Sequence, residues 1–540
     1  MSHWIVALII LPGLVAPVIA LTMRYDLVLQ RVFSLASSTA LVIMAGALMQ
    51  AASTGAIEAY ELGSWPAPFG IVLVLDRLSA VMVLLTAVLA LVVLAYAVAS
   101  GWDARGRHFH ALYQFQLMGL FGAMLTGDVF NLFVFFEILL IASYGLMIHG
   151  GGRMRLRGGV QYVIYNLAGS TLFLFALGTV YGVLGTLNMA DMAVRAAELP
   201  EGDAALLRVA AGLLLLVFVL KGALLPLHFW LPNTYALAPA PVAALFAIMT
   251  KVGAYAVIRV YTLVFHPGLE ATGSMASDAI IPAALVTLVV GMIGVLAGGT
   301  AARVVAFAAI GSMGTLFLAI GAFTPQATAA ALYYLIHSTL AAAVLFLIVD
   351  QIRARRGNTA LVALPPIAQN GLIAALFFGG AIAMAGMPPL SGFIGKLLVM
   401  DALRDHALWA WIWGAILITS LIAIVGFARA GSVLFWKAHD ATTQDDITPE
   451  AEARVNVVSE HLHPGAALAS IGAMLGLIIV LTILSGPVMR QAEVTADQLH
   501  DRQAYIVAVL GTASVLDPET AEPMDDNATP VDPVSDEVEG

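Results

Sequence analysis

The sequence predicts an all-α polytopic membrane protein of about fourteen transmembrane helices, arranged as two inverted five-helix repeats that contain broken helices. Three observations carry this. The 540 residues are 61% hydrophobic and only 11% charged, whereas soluble domains carry about 25% charged residues. Apolar windows near twenty residues long recur from end to end, and each would cross a hydrocarbon core of about 30 Å as a helix. The windows are continuous rather than alternating, and helices satisfy their own backbone in lipid, so the spans are helices and not barrel strands.

The windows centre near residues 12, 41, 85, 118, 139, 171, 216, 250, 288, 312, 338, 380, 420 and 475. The first, SHWIVALIILPGLVAPVIA, has no basic n-region and no clear cleavage site. It is expected to stay as a span rather than be removed as a signal peptide. Residues 1–110 then form an N-terminal three-helix segment, 111–265 a first repeat (helices 4–8), 278–437 a second repeat (helices 9–13), and 465–488 a last span. An apolar run at 504–509 is too short to cross, and the acidic tail 511–540, which has no Lys or Arg, is expected to be disordered.

Basic residues fall in alternate loops: Arg24 and Arg31; Arg105 and Arg107; Arg153, Arg155 and Arg157; Arg303; Arg353, Arg355 and Arg356; Lys437 and Arg454. The positive-inside rule puts these loops in the cytoplasm and both termini outside, with Arg404 the one exception.

Two helices are interrupted by proline and glycine. One break follows Lys221, with Pro226 and then Pro232; the other precedes Lys396 in AMAGMPPLSGFIGKLLVM, at Pro388 and Pro389. Breaks at matching places in two halves point to an inverted-repeat transporter with ion sites near the bilayer midplane.

The ionisable residues inside the spans are the candidate site. A charge at mid-bilayer depth costs about 2.5–3.5 kcal/mol on insertion scales, so its default reading is functional. Glu137 lies nine residues from Asp128 in VFNLFVFFEILLIASYGLMI, near mid-span. Lys221 and Lys251 lie thirty residues apart on either side of the first break. Lys396 follows the second break, five residues before Asp401, so its amine could instead snorkel outward. His337, in YYLIHSTLAAAVLFL, is a relay or a packing histidine. Thr250 and Tyr255 could support a water chain with Lys251, and His228 would share the face of Lys221 did Pro226 not intervene. A buried ammonium near a carboxylate that can move away gains and loses its proton readily, which is what a proton relay needs.

Nothing in the sequence calls for a cofactor or a metal. There are no cysteines, which excludes a disulfide, a thiolate zinc site and a Cys-ligated iron–sulfur cluster. His108–His110 and His461–His463 are expected in loops without carboxylate or cysteine company. No phosphate loop occurs, and a net charge of −10 gives no reason to expect a nucleic-acid partner.

The stretches LKGALLPLHFWLPNTYALAPAPVAALFAIMTKVGAYAVIRV and AGMPPLSGFIGKLLV resemble the proton-translocating antiporter-like subunits shared by respiratory complex I and the Mrp (Pha) cation/proton antiporters, over roughly residues 70–440. The resemblance implies that a fifth-helix glutamate pairs with a seventh-helix lysine. A chain then runs through an eighth-helix lysine and an eleventh-helix histidine to an ionisable residue on the twelfth: by motif, Glu137, Lys221, Lys251, His337 and Lys396. The lysine in SGFIGK and the chain length resemble the D-type branch of the Mrp family. Two stretches depart from the pattern: Ala341–Ala343 replaces a usual lysine, and TAARVVAF keeps only Arg303.

The resemblance implies a secondary transporter component, not an enzyme, in a bacterial inner membrane. It would exchange Na⁺ or K⁺ for protons within a hetero-oligomer that also holds the A-, B-, C-, E-, F- and G-type Mrp proteins. The alternative is a proton-pumping component of a complex I-type oxidoreductase whose redox chemistry lies in other chains.

Overall fold

The computed structural model describes residues 2–199, 204–437 and 464–511. The expected disordered tail beyond Gly511, His461–His463 and Arg454 lie outside the described residues. The N-terminal segment comprises α1 (Ser2–Thr22), α2 (Leu27–Ala52) and α3 (Arg77–Ala99). Between α2 and α3 lies an antiparallel hairpin, β1 (Glu58–Glu61) with β2 (Val72–Leu75), an addition to the all-helical expectation. Its second strand is Val-Leu-Val-Leu, fully buried and rich in β-branched residues.

The first repeat contains α4 (Phe109–Leu125), α5 (Val129–Met147), α6 (Arg153–Leu184), the short α7 (Met189–Ala197), α8 (Ala204–Lys221), α9 (Trp230–Leu237) and α10 (Ala240–Leu263). The second contains α11 (Met275–Ala297), α12 (Ala301–Ile320), α13 (Pro325–Arg356), α14 (Asn370–Ala385), α15 (Ser391–Ala402) and α16 (Trp409–Gly431), which ends in a π-turn at Ser432–Trp436. After these come α17 (Pro464–Ile483), α18 (Ser485–His500) and α19 (Arg502–Leu510). Twelve described helices are long and apolar enough to cross a membrane. The other two windows form the shorter α4 (17 residues) and α14 (16 residues).

The two repeats match element by element. α6 and α13 are both 32 residues long, the pair α8–α9 is interrupted as α14–α15 is, and α10 matches α16 in length (24 and 23 residues). Each repeat crosses an odd number of times, with a broken pair counted once. α11 therefore starts on the side opposite to α4, which is the inverted relationship.

Burial separates the spans that face lipid from those that face protein. α10 is buried from Pro241 to Leu263, and α12 and α13 are nearly so, at the seam between the repeats. Polar side chains on α10 are therefore enclosed by protein on all sides. At Gly253 an added Cβ would lie 2.7 Å from Gly222 N and 2.8 Å from Phe218 O. The end of α8 and the middle of α10 thus cross at backbone contact, which only glycine permits.

The two faces of the bundle are tied by different chemistry. On one, Arg155 bonds the Leu237 carbonyl (3.3 Å), Arg303 bonds Asn233 (3.3 Å), and the Arg105 guanidinium lies 3.8 Å from the Trp102 ring centre. On the other, α18 and α19 lie across the hairpin side. Gln498 donates to Gly55 O (2.9 Å) and accepts from Arg77 N (3.0 Å), while Arg502 donates to Leu263 O (2.8 Å).

Candidate functional site

The breaks create the site. α8 stops at Lys221, and residues 222–229 form turns in which Ala223 takes φ +56. Pro226 lies in this gap. Pro232 lies in the first turn of α9, where no helical N–H is needed. His228 therefore sits in the break and off the helix of Lys221, buried, with no partner for Nδ1 among the described residues. In the second repeat, Gly386 (φ +77) ends α14, Pro388 and Pro389 fill the gap, and α15 carries Lys396 back in. Lys396 does not snorkel. Its buried Nζ donates to Ala385 O (2.8 Å), a carbonyl freed by the break, and to Ser420 Oγ (2.8 Å).

Glu137 and Lys221 face the same flank of α6 but are not in ion-pair contact. The half-buried Glu137 carboxylate accepts a hydrogen bond from Ser170 Oγ. The buried Lys221 Nζ donates to Asn166 Oδ1 (3.1 Å) and lies 5.9 Å from the Phe136 ring centre. Asn166 and Ser170 are not among the residues expected from the sequence. The available signal was two polar residues four apart within an apolar span.

Lys251 lies at the seam between the repeats, 1% exposed, and its Nζ has no hydrogen-bond or ion-pair partner among the described residues. Thr250 bonds back to Ala247 O (3.4 Å), and Tyr255 OH donates to Met124 O (2.7 Å), so that hydroxyl already serves α4. His337 Nδ1 is 2.8 Å from Ser391 Oγ at the start of α15, and a Cβ at Gly392 would lie 2.8 Å from its Nε2. The second break is thus closed directly over His337. The Ser312 and Thr315 hydroxyls of α12 are also buried, both beside the Tyr334 side chain of α13. Ala341–Ala343 are buried and offer no polar group in place of the lysine that the resemblance implies.

Three further buried charge clusters lie outside the expected set. Arg259, two turns beyond Lys251 on the same face of α10, forms a bidentate pair with Asp76 (2.6 and 2.8 Å) beneath the Tyr505 ring. Its spacing from Lys251 was visible in the sequence. Asp350 accepts from Tyr96 OH and Trp102 Nε1 (2.8 Å each). It lines a cavity of about 40 Å³ with Tyr235, Ala243, Phe346 and Arg353, roomy enough for water. Asp103 is shared by Arg31 (2.6 Å) and His110 (3.1 Å). This corrects the expectation for His108–His110: His110 is on α4, not in a loop, and the turn before α4 folds the Asp103 carboxylate back onto its ring.

Asp128, the N-cap of α5, accepts from Asn131 N (2.7 Å), but burial pushes its carboxyl up to about 6. Unfolded, it releases its proton near 3.8. The folded state therefore binds more protons between about pH 4 and 6, and stability falls as pH rises through that window and then levels. Asp128→Asn keeps the capping oxygen and should raise the melting temperature at pH 8 by the equivalent of about 1–3 kcal/mol. At pH 4 it should be neutral; equal effects at both pH values would refute this.

Comparisons with known proteins fit this geometry. Residues 126–423 match the sequence profile of the NADH:quinone oxidoreductase/Mrp antiporter transmembrane family. The chain is 38% identical to the D-type component of a probable K(+)/H(+) antiporter from Rhizobium meliloti (strain 1021), covering 92% of this chain and 96% of that one. It is 36% identical to the D-type component of a Na(+)/H(+) antiporter from Bacillus subtilis (strain 168), over 94% and 100%. Among solved structures it is similar to a chain of the Mrp complex from Dietzia sp. DQ12-45-1b, with a TM-score of 0.83, 27% identity, and 94% and 99% coverage.

Proposed function

Because this chain belongs to the NADH:quinone oxidoreductase/Mrp antiporter transmembrane family, we propose that it is the proton-translocating D-type component of a multisubunit Na⁺ or K⁺/proton antiporter. It works in a bacterial inner membrane with proteins of the A, B, C, E, F and G types. Glu137 and Lys221 form a switchable pair, and Lys251, His337 and Lys396 carry the proton onward. An ammonium that has lost its counter-ion in a water-poor site is a proton donor, so opening the pair drives the proton of Lys221 towards Lys251. Ser312 and Thr315 on α12, with His337 beneath the start of α15, provide hydroxyl and ring groups for the next transfers. The observation that most supports this reading is the open Glu137–Lys221 pair at a helix break, in backbone contact with the helix of Lys251, which has no partner among the described residues. The basic residues gathered on one face support both termini lying outside.

The test uses everted vesicles from an antiporter-deficient host that expresses the complete set of antiporter proteins. A pH gradient is built by respiration, and Na⁺ or K⁺ is then added. Collapse of the gradient that requires this chain is the expected result, and the more effective cation is the substrate. If neither cation acts while gradient formation itself depends on the chain, it belongs to a respiratory pump. The same vesicles should label Asn358→Cys with an impermeant maleimide and leave Glu270→Cys unlabelled, since the chain has no native cysteine. The reverse pattern would invert the orientation.

A further inference from the structure

The two members of the Glu137–Lys221 pair bond separately to groups on one turn of α6. Asn166 and Ser170 are four residues apart and so project from the same face. Each takes one member of the pair: Asn166 Oδ1 accepts from Lys221 Nζ (3.1 Å), and Ser170 Oγ donates to Glu137. Between them, Gly169 leaves a notch. A Cβ there would lie 3.0 Å from Leu220 Cδ2 and 3.8 Å from Lys221 Nζ, so the missing side chain leaves room beside the ammonium. Asn166 is itself fixed, because its Nδ2 donates to Tyr162 O (2.9 Å), which aims Oδ1 at the lysine. Tyr162 is anchored in turn to Ser143 Oγ on α5 (2.8 Å).

We propose that Asn166 and Ser170 are positioning residues that form a two-point latch for the open state of the ion pair, with Gly169 as the track between the two points. Closing the pair requires Lys221 to leave Asn166 and move along the Gly169 notch by one turn, about 5.4 Å, while Glu137 leaves the Ser170 hydroxyl. Both bonds are charge-assisted, so both favour the separated arrangement, against the Coulomb attraction that favours closure. The latch thereby brings the two states close enough in free energy for a cation or a proton to choose between them. Without it, attraction in a low-dielectric site would hold the pair closed.

This inference rests on the relay reading, and the experiment separates the two. In the complete complex in everted vesicles, maximal exchange rate and its pH profile are measured for Ser170→Ala, Ser170→Thr, Asn166→Leu and Asn166→Asp, beside Glu137→Ala and Lys221→Ala. Assembly is followed on native gels. Ser170→Ala and Asn166→Leu should each lower the maximal rate about tenfold and displace the pH profile, the loss of one hydrogen bond to a charge. Ser170→Thr, which keeps the hydroxyl, should restore both. Asn166→Asp supplies a permanent counter-charge for Lys221 and should lose exchange even more completely than Asn166→Leu. If Ser170→Thr is as impaired as Ser170→Ala, packing and not the hydroxyl matters, and the latch is wrong. Wild-type rates and profiles for both Ser170→Ala and Asn166→Leu, beside inactive Glu137→Ala and Lys221→Ala, would also overturn the latch and leave the relay standing. Full activity in Glu137→Ala and Lys221→Ala would overturn the relay, and the latch with it.

Discussion

Lys251→Met should abolish cation-driven proton exchange, by about a hundredfold or more, in a complex that is at least as stable as the wild type. The two halves of this expectation have one cause. Lys251 is 1% exposed on a helix buried along its whole length, and its ammonium has no protein partner among the described residues. Enclosing such a charge is costly, and a thioether of similar length fills the same space without that cost. On the proposed relay, the cost is tolerated because the group releases and regains a proton between the repeats. Lys251→Arg should fail as well, since a guanidinium keeps its proton throughout the working range. Exchange is read in everted vesicles, and stability from the melting midpoint of the purified complex. A Lys251→Met complex that melts lower and still exchanges would sink the relay role and make the lysine a structural residue.

The second large effect lies two turns further along α10. Arg259→Met should destabilise the protein by about 3–5 kcal/mol, because it leaves the buried Asp76 carboxylate unpaired. Asp76 also caps α3, accepting from Ser79 N (2.9 Å). Asp76→Asn keeps a capping oxygen, so the double variant Asp76→Asn with Arg259→Met should regain most of the loss. The double variant measures how much of the penalty is an orphaned charge and how much is lost packing under Tyr505. The readout is the thermal midpoint together with the yield of assembled complex. If the double variant is no better than Arg259→Met alone, charge pairing is not what holds this end of the bundle.

The spans, the two breaks and the five ionisable residues proposed as a relay stand out in the sequence because lipid imposes a strict code. A helix must be apolar for about twenty residues, so a lysine or a proline inside one stands out against the background. The family motifs around Lys221, Lys251 and Lys396 sharpened that reading. The clusters at Asp76–Arg259 and Arg31–Asp103–His110 were not legible. Each joins a residue near a span end, where a charge is ordinary, to a partner on another element. Only the packing shows that the charge is buried. The hairpin was hidden for a similar reason: four-residue strands leave too short a pattern to read beside spans of twenty.

The sequence by itself determined that the chain crosses a membrane many times, that two helices break, and which ionisable side chains lie within apolar stretches. Those are properties of single segments, set by hydrophobicity and by proline and glycine. Only the tertiary structure decided that Lys396 turns inward to the carbonyl of Ala385, that Lys251 has no protein partner at the seam among the described residues, and that Asn166 and Ser170 bond Lys221 and Glu137 separately. These depend on distances between helices. Such distances are fixed by contacts like that of Gly253 with Gly222, where the absence of two side chains lets backbones touch, and periodicity along one helix carries no record of its neighbour.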